Sequence, residues 1–322
     1  MTARKQEELK VLMLNPWVDQ YVPLVKEKFP TLNLVYAKKE DDLEGIPVDD
    51  VEVVVSNEPL SKTLPRIKNL KWFQCLSTGY DHILGTGLVK KETILTNVAG
   101  VAAIPVSEFV MALLLSIVKR LPELLENQRR HKFELFFPNR ELYGKTIGVL
   151  GVGHIGRAVV KKAKAMGMVV LGFDKYVTEA EGADKIYPFD QLEAVLQASD
   201  FIVVCLPLNE ETRGLIGEEQ FRMMKPEAYF VNVARGEIVV REALVKALKE
   251  KWIAGSALDV FWGSAEKDGL EPDDELWDLP NVIITPHCAV ITNMYVPRTT
   301  EIFCKNLERY LRGEQLINVI EH

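Results

Sequence analysis

"TIGVLGVGHIGRAVVKKAKAMGMVVLGFD" spans Thr146 to Asp174. An apolar run, TIGVL, leads into three glycines at Gly151, Gly153 and Gly156. An amphipathic stretch follows, and a second apolar run, VVLGF, ends on Asp174. The order is strand, tight turn, helix, strand. Each glycine answers a separate need. Gly151 allows the turn, Gly153 lets backbone approach a pyrophosphate, and Gly156 lets the helix pack closely on the strand. The helix start then offers unpaired amides and the positive end of a dipole to phosphate oxygens. Asp174 lies 18 residues past Gly156, at the distance expected of a carboxylate accepting from adenosine ribose hydroxyls. It repels a 2′-phosphate, which favours NAD over NADP, while Lys175 leaves some room for NADP. His154, inside the motif, is expected to face phosphate or solvent and to take no catalytic role.

Around this stretch the apolar runs continue: FIVVCLP, YFVNVARG, IAGSALDV and NVIITPH. Such β-branched runs with helices between them predict a parallel sheet buried on both faces. The first hundred residues alternate in the same way, with VLML at 11–14, VEVVVS at 51–56 and KWFQCLS at 71–77. A long helix is predicted from about Ile104 to Arg130, with a capping-type Ser107-Glu108 pair beside it. Its apolar face carries Val110, Leu113, Leu114 and Ile117. A last helix is predicted near Arg298 to Leu311.

The chain has 322 residues, 48% hydrophobic and 26% charged, enough for two domains with large cores. A net charge of −7 argues against binding to nucleic acid. No apolar segment is long enough for a membrane span, and the charged start MTARKQEELK has no signal core. Cys75, Cys205, Cys288 and Cys304 form no CxxC pair, and no metal-ligand spacing occurs. A reduced, cytoplasmic protein without a metal is expected.

Ligands of doubly wound sheets bind beyond the carboxyl ends of the strands. That rule singles out Arg235, which ends YFVNVARG, and His287, which ends NVIITPH. An arginine fork grips carboxylate and carbonyl oxygens together. A histidine, with an unperturbed pKa near ~6.5, suits proton transfer at neutral pH. Together they suit hydride transfer to a 2-keto acid, where a cation polarises the carbonyl and an acid protonates the developing alkoxide.

These residues lie within stretches that resemble the D-isomer-specific 2-hydroxyacid dehydrogenase family. The matching segments are STGYDHI (77–83), VGHIGRAVVKKAKAMG (152–167), CLPLNEETRGLI (205–216), NVARGEIVVREAL (232–244), AGSALDVF (254–261) and LPNVIITPH (279–287). The resemblance implies a Rossmann NAD domain over 101–287, inserted into a flavodoxin-like α/β substrate domain made of 1–100 and 288–322. It implies catalysis by Arg235 and His287 on a small D-2-hydroxy or 2-keto acid. Ser77, Thr78 and Gly79 then hold the substrate carboxylate. Besides the glycines and Asp174, it implies cofactor contacts from His154, Ile155, Leu206, Pro207, Thr212, Val233, Ala234 and Asp259. For Asp259 the alternative is a loop-capping carboxylate. A homodimer formed through the helix near 104–130 is also implied.

The family pairs its histidine with a glutamate five residues after the aspartate of ALDVF, and here that position is Ser264. The loop is about four residues longer than usual, so Glu266 is the expected partner. Asp268, Glu271 or no carboxylate at all are the alternatives. Asp273, Asp274, Glu275 and Asp278 read as a solvated loop face. Val290 stands where the family has glycine, a departure that bears on local backbone and pocket shape. Two other functions remain open: an NAD(H)-sensing, corepressor-like interaction protein, and a formate or phosphite dehydrogenase.

Overall fold

A computed structural model describes residues 5–135, 139–263 and 269–322. The chain divides into two units, Met1–Val101 with Thr292–His322, and Ala102–Ile291. The first begins with β1 (Lys10–Leu14), α1 (Val18–Lys28), β2 (Asn33–Ala37), β3 (Val53–Ser56), β4 (Trp72–Cys75), α2 (Asp81–Leu84) and β5 (Ile94–Thr96). Strands β3 and β4 are buried along their whole length, as continuous apolar runs in a parallel sheet should be.

The second unit opens with α3 (Ala103–Val118) and α4 (Leu121–Arg129). The single helix expected from 104 to 130 is therefore broken. Arg120 takes a left-handed φ of 54°, and Pro122 lies in the first turn of α4, where its missing N–H costs nothing. Ser107 caps nothing, because its hydroxyl donates to the Ile104 carbonyl inside α3. Then come β6 (Thr146–Leu150), α5 (His154–Ala165), β7 (Val169–Phe173), β8 (Lys185–Tyr187), α6 (Leu192–Ala198) and β9 (Phe201–Val204). After them follow α7 (Glu218–Met223), β10 (Tyr229–Asn232), α8 (Arg241–Lys249), β11 (Gly255–Leu258) and β12 (Val282–Ile284). All seven strands are parallel, in the order β12-β11-β10-β9-β6-β7-β8. This is the doubly wound 3-2-1-4-5-6 arrangement with one strand added, and its direction reverses between β6 and β9. Apolar clusters cover both faces, one around Phe173, Phe221 and Phe230, the other around Val110, Leu114, Val159 and Val203.

The chain then returns to the first unit as α9 (Tyr295–Arg312) and β13 (Val319–Ile320). The sheet there runs β13-β5-β4-β3-β1-β2, with only β13 antiparallel. Its first five strands follow the flavodoxin-like order 2-1-3-4-5. Helix α9 buries Phe303, Cys304 and Leu307 with Tyr21 and Val25 of α1. It ends at Gly313, left-handed at φ 69°. Within the second unit, Asp259 holds the amides of Cys288 and Ala289. Among the described residues no helix is long and apolar enough to cross a membrane, and no group of His, Cys, Asp or Glu is placed to hold a metal ion.

Candidate active site

The glycine loop joins β6 to α5 at the switch point of the second unit. Gly151 has φ 95°, and a Cβ there would lie 2.7 Å from the Leu206 amide nitrogen. The turn can therefore carry no side chain. At Gly156 a Cβ would come 1.9 Å from the Gly151 carbonyl oxygen. Above Gly153 a Cβ would meet nothing within 4 Å, so the backbone there faces open space. This combination fits a bound pyrophosphate at the start of α5, a helix of 12 residues. His154 is exposed and Ile155 half-buried at that helix start.

Asp174 follows β7 and turns back on the loop. One oxygen accepts the Val152 amide at 2.8 Å, and the other accepts the amides of Tyr176 and Val177, each at 2.9 Å. Lys175 turns away, with Nζ 2.6 and 2.7 Å from the two Glu211 oxygens. On the β9 side, Leu206 is buried and Pro207 exposed. Thr212 is only 2% exposed, and its hydroxyl works inside the loop. It donates to the Pro207 carbonyl at 2.6 Å and accepts the Asn209 amide at 2.9 Å.

Arg235 follows β10 in a turn organised by Asn232. The Asn232 amide group donates to the Arg235 carbonyl at 2.8 Å, and its oxygen accepts the Ala234 N–H at 3.0 Å. Val233 is buried there, Ala234 half-buried. Arg235 Nη1 donates to the Ala234 carbonyl at 2.8 Å. Two strands further on, His287 takes φ 50°, a left-handed conformation that side chains rarely adopt. Asp259, 1% exposed just past β11, fixes the chain on both sides of it. Its carboxylate accepts the Thr285 hydroxyl at 2.6 Å and the amides of Cys288 and Ala289 at 3.1 and 3.0 Å. These bonds reach a segment 26 to 30 residues further along the chain. Val290 has no positive φ and packs into the apolar cluster below, so the backbone needs no glycine there.

Ser77, Thr78 and Gly79 belong to the other unit, just past β4. There the carbonyls of the loop turn inward. Tyr295 donates to Leu76 O at 2.6 Å, Asn97 to Thr78 O at 2.7 Å and the Ser77 hydroxyl to Gly79 O at 2.6 Å. Burial holds the Tyr295 phenol above its ordinary range, so it remains a donor. Among the described residues, no acceptor takes the amides of Ser77, Thr78 and Gly79. Consecutive amides of this kind form a concavity that binds anions.

The family model for the NAD binding domain of D-isomer specific 2-hydroxyacid dehydrogenases matches residues 111–289, more than half of the chain. The chain belongs to this family. The dehydrogenase is 37% identical over 249 residues to a glyoxylate reductase of Korarchaeum cryptofilum, covering 76% of this chain and 74% of that one. Among solved structures, it resembles a D-isomer specific 2-hydroxyacid dehydrogenase family protein from Aeromonas salmonicida, with a TM-score of 0.89 and 31% identity. That match covers 97% of this chain and 99% of the other. It also resembles a D-isomer specific 2-hydroxyacid dehydrogenase from Xanthobacter autotrophicus in complex with NADPH and MES. There the TM-score is 0.83 and the identity 28%, over 97% of this chain and 98% of that one. Family membership makes the protein an NAD(P)-dependent 2-hydroxyacid dehydrogenase.

Among the dehydrogenase's loop acids, Glu266 and Asp268 lie outside the described residues, as does Ser264. Glu271 is exposed. Asp274 does not belong to a solvated face. It pairs with Arg241 at 2.8 Å, keeps only 12% side-chain exposure and caps the Leu276 amide, while Glu275 pairs with Lys249. Asn232, Thr285 and Asn97 went unnoticed in the sequence. Each holds a turn through hydrogen bonds to nearby backbone or to Asp259, and such work leaves no spacing signature.

Proposed function

We propose that the protein is an NAD(H)-dependent reductase of a small 2-keto acid, glyoxylate being the first substrate to try. The observation that carries this reading is the pair Arg235 and His287. Both stand at carboxyl ends of the dinucleotide sheet in turns fixed by buried polar side chains, Asn232 and Asp259. The glyoxylate reductase relative supports the substrate class. In this reading Gly151, Gly153, Ile155 and Gly156 cradle the pyrophosphate, Asp174 takes the ribose hydroxyls, and Leu206, Pro207, Val233 and Ala234 border the nicotinamide half. The dinucleotide, when bound, supplies the hydride.

The protein's own residues do the rest. The amides of Ser77, Thr78 and Gly79 bind the substrate carboxylate, in a unit we assign to the substrate. The Arg235 fork polarises the carbonyl, and the His287 imidazolium gives its proton to the carbonyl oxygen as charge develops there. For cofactor choice, Asp174 at the ribose position supports NAD, and Lys175 is engaged by Glu211. A cytoplasmic setting suits four free cysteines. A homodimer through α3 and α4 is supported by exposed Ile104, Leu121, Leu124 and Leu125. The corepressor-like and formate or phosphite readings gain no support from the relatives above.

The test follows NADH and NADPH absorbance with glyoxylate, hydroxypyruvate, pyruvate, formate and phosphite. Reduction of a 2-keto acid with NADH is expected. His287→Asn keeps a residue that tolerates the left-handed φ, and should lower the rate by about 10²–10⁴-fold. Turnover of formate or phosphite alone, or a His287→Asn enzyme as fast as wild type, would sink the reading.

A further inference from the structure

Lys175 lies just after β7, and Glu211 lies in the turn after β9. These strands flank β6 in the sheet, so their loops border the glycine loop on either side. The Lys175–Glu211 bonds thus run from one border to the other. Glu211 is well placed to hold its end. Asn209 Oδ1 accepts the amides of Glu211 and Thr212 at 2.9 and 3.0 Å, and Thr212 ties the same turn to Pro207. On the other side, the Asp174 carboxylate is anchored to three amides and cannot swing away from the ribose position.

NADP(H) differs from NAD(H) only by a phosphate on the adenosine 2′-oxygen. Binding it needs a cation to offset the negative charge, all the more beside an aspartate. Lys175, the residue next to Asp174, carries that cation. We propose that Glu211 is a cofactor-specificity residue: by engaging Lys175 with both carboxylate oxygens, it withholds from a 2′-phosphate the cation beside Asp174. Discrimination would then rest on two carboxylates, one that repels the phosphate and one that occupies its counter-ion. The inference rests on the NAD reading above and adds to it a residue on the far side of the crevice.

The contribution should be modest, because both side chains are partly exposed, at 40% and 53%. Freeing one exposed ion pair is worth about three- to fivefold in binding, and it shrinks as salt screens the charges. The experiment measures binding of 2′,5′-ADP and 5′-ADP to the full chain by isothermal titration calorimetry at low salt. The readout is the ratio of the two dissociation constants, which does not depend on turnover. In Glu211→Gln the ratio Kd(2′,5′-ADP)/Kd(5′-ADP) should fall about three- to fivefold. In Glu211→Gln with Lys175→Ala it should return to the wild-type value or above. A ratio unmoved in the single variant, or a fall that persists in the double, overturns the role of Glu211. If the wild type itself binds 2′,5′-ADP more tightly than 5′-ADP, the NAD reading fails as well. A wild type that disfavours 2′,5′-ADP, with an unmoved Glu211→Gln, sinks the Glu211 proposal alone.

Discussion

Replacing Asp259 by Asn tests whether the left-handed turn at His287 is held by hydrogen bonds or is stable by itself. The two side chains have nearly the same shape, but Asn has one acceptor oxygen where Asp has two. If Nδ2 takes the place of the oxygen on Ala289, two N–H groups face each other. If it takes the other place, the Cys288 amide meets the same fate. Thr285 can rotate its hydroxyl, but a backbone amide cannot turn into an acceptor. One bond to a charged acceptor is lost, worth about 1.5–3 kcal/mol, and leaving a buried amide unpaired costs about 1–3 kcal/mol more. Holding a non-glycine residue at φ 50° costs about 1–3 kcal/mol, and such a residue persists only where its surroundings over-determine it. The loss therefore matches or exceeds the strain it opposed, and the turn should relax. A displaced proton donor then lowers kcat for keto-acid reduction by about a hundredfold, the equivalent of about 2.7 kcal/mol. The assay combines steady-state kinetics with hydrogen exchange at the Cys288 and Ala289 amides. Exchange should speed up as kcat falls, with the dissociation constant for 5′-ADP nearly constant. A variant with wild-type exchange at both amides and kcat within threefold refutes the reasoning.

Three further outcomes are expected. Arg235→Lys keeps the charge but loses the planar fork, so kcat/KM for keto acids should fall at least tenfold, and an unchanged value would remove Arg235 from the site. Tyr295→Phe deletes the donor to the Leu76 carbonyl, a bond worth about 1 kcal/mol. The KM for the keto acid should rise more than that for NADH, and equal changes in both would show that Tyr295 serves only packing. Burial pushes the Cys205 thiol and the Tyr21 phenol up to about 12, and the Cys304 thiol up to about 11. Above about pH 9 the unfolded chain releases these protons while the folded chain keeps them, so folding stability should decline from about pH 9 to about pH 12. Urea midpoints that stay level across that interval would contradict it.

The nucleotide sheet was legible because its central strands are unbroken apolar runs, and because three glycines fall between a strand and a helix. Its edge was not. Strand β8, Lys185–Tyr187, is short and half-exposed, and in the other sheet the edge strand β13 has two residues, too few for any period to register. The break between α3 and α4 did leave a mark, Pro122, but the apolar spacing of Val110, Leu113 and Leu114 outweighed it. At the site, the rule of looking just past each strand led to Arg235 and His287, which follow β10 and β12, while the spacing from the glycines led to Asp174 past β7. Neither gave a hint that Asp259 spends both oxygens on the loop carrying His287, or that Lys175 meets Glu211. Such pairings depend on loop geometry that no local pattern encodes. The carboxylate expected beside His287, Glu266, lies outside the described residues.

The discontinuity of the first unit sets an order of events as the chain emerges from the ribosome. Asn97 and Asn318 are 221 residues apart, yet the Asn318 side chain donates to the Asn97 carbonyl, and Val319 pairs with Thr96 in the sheet. Until α9 and β13 have been made, β5 presents an unpaired edge and Tyr21 and Val25 lack the helix that covers them. Residues 102–291, by contrast, contain all seven strands of their own sheet and can close it without waiting. The nucleotide unit is therefore able to form first during synthesis, while the opening hundred residues stay incomplete and aggregation-prone until the last thirty arrive.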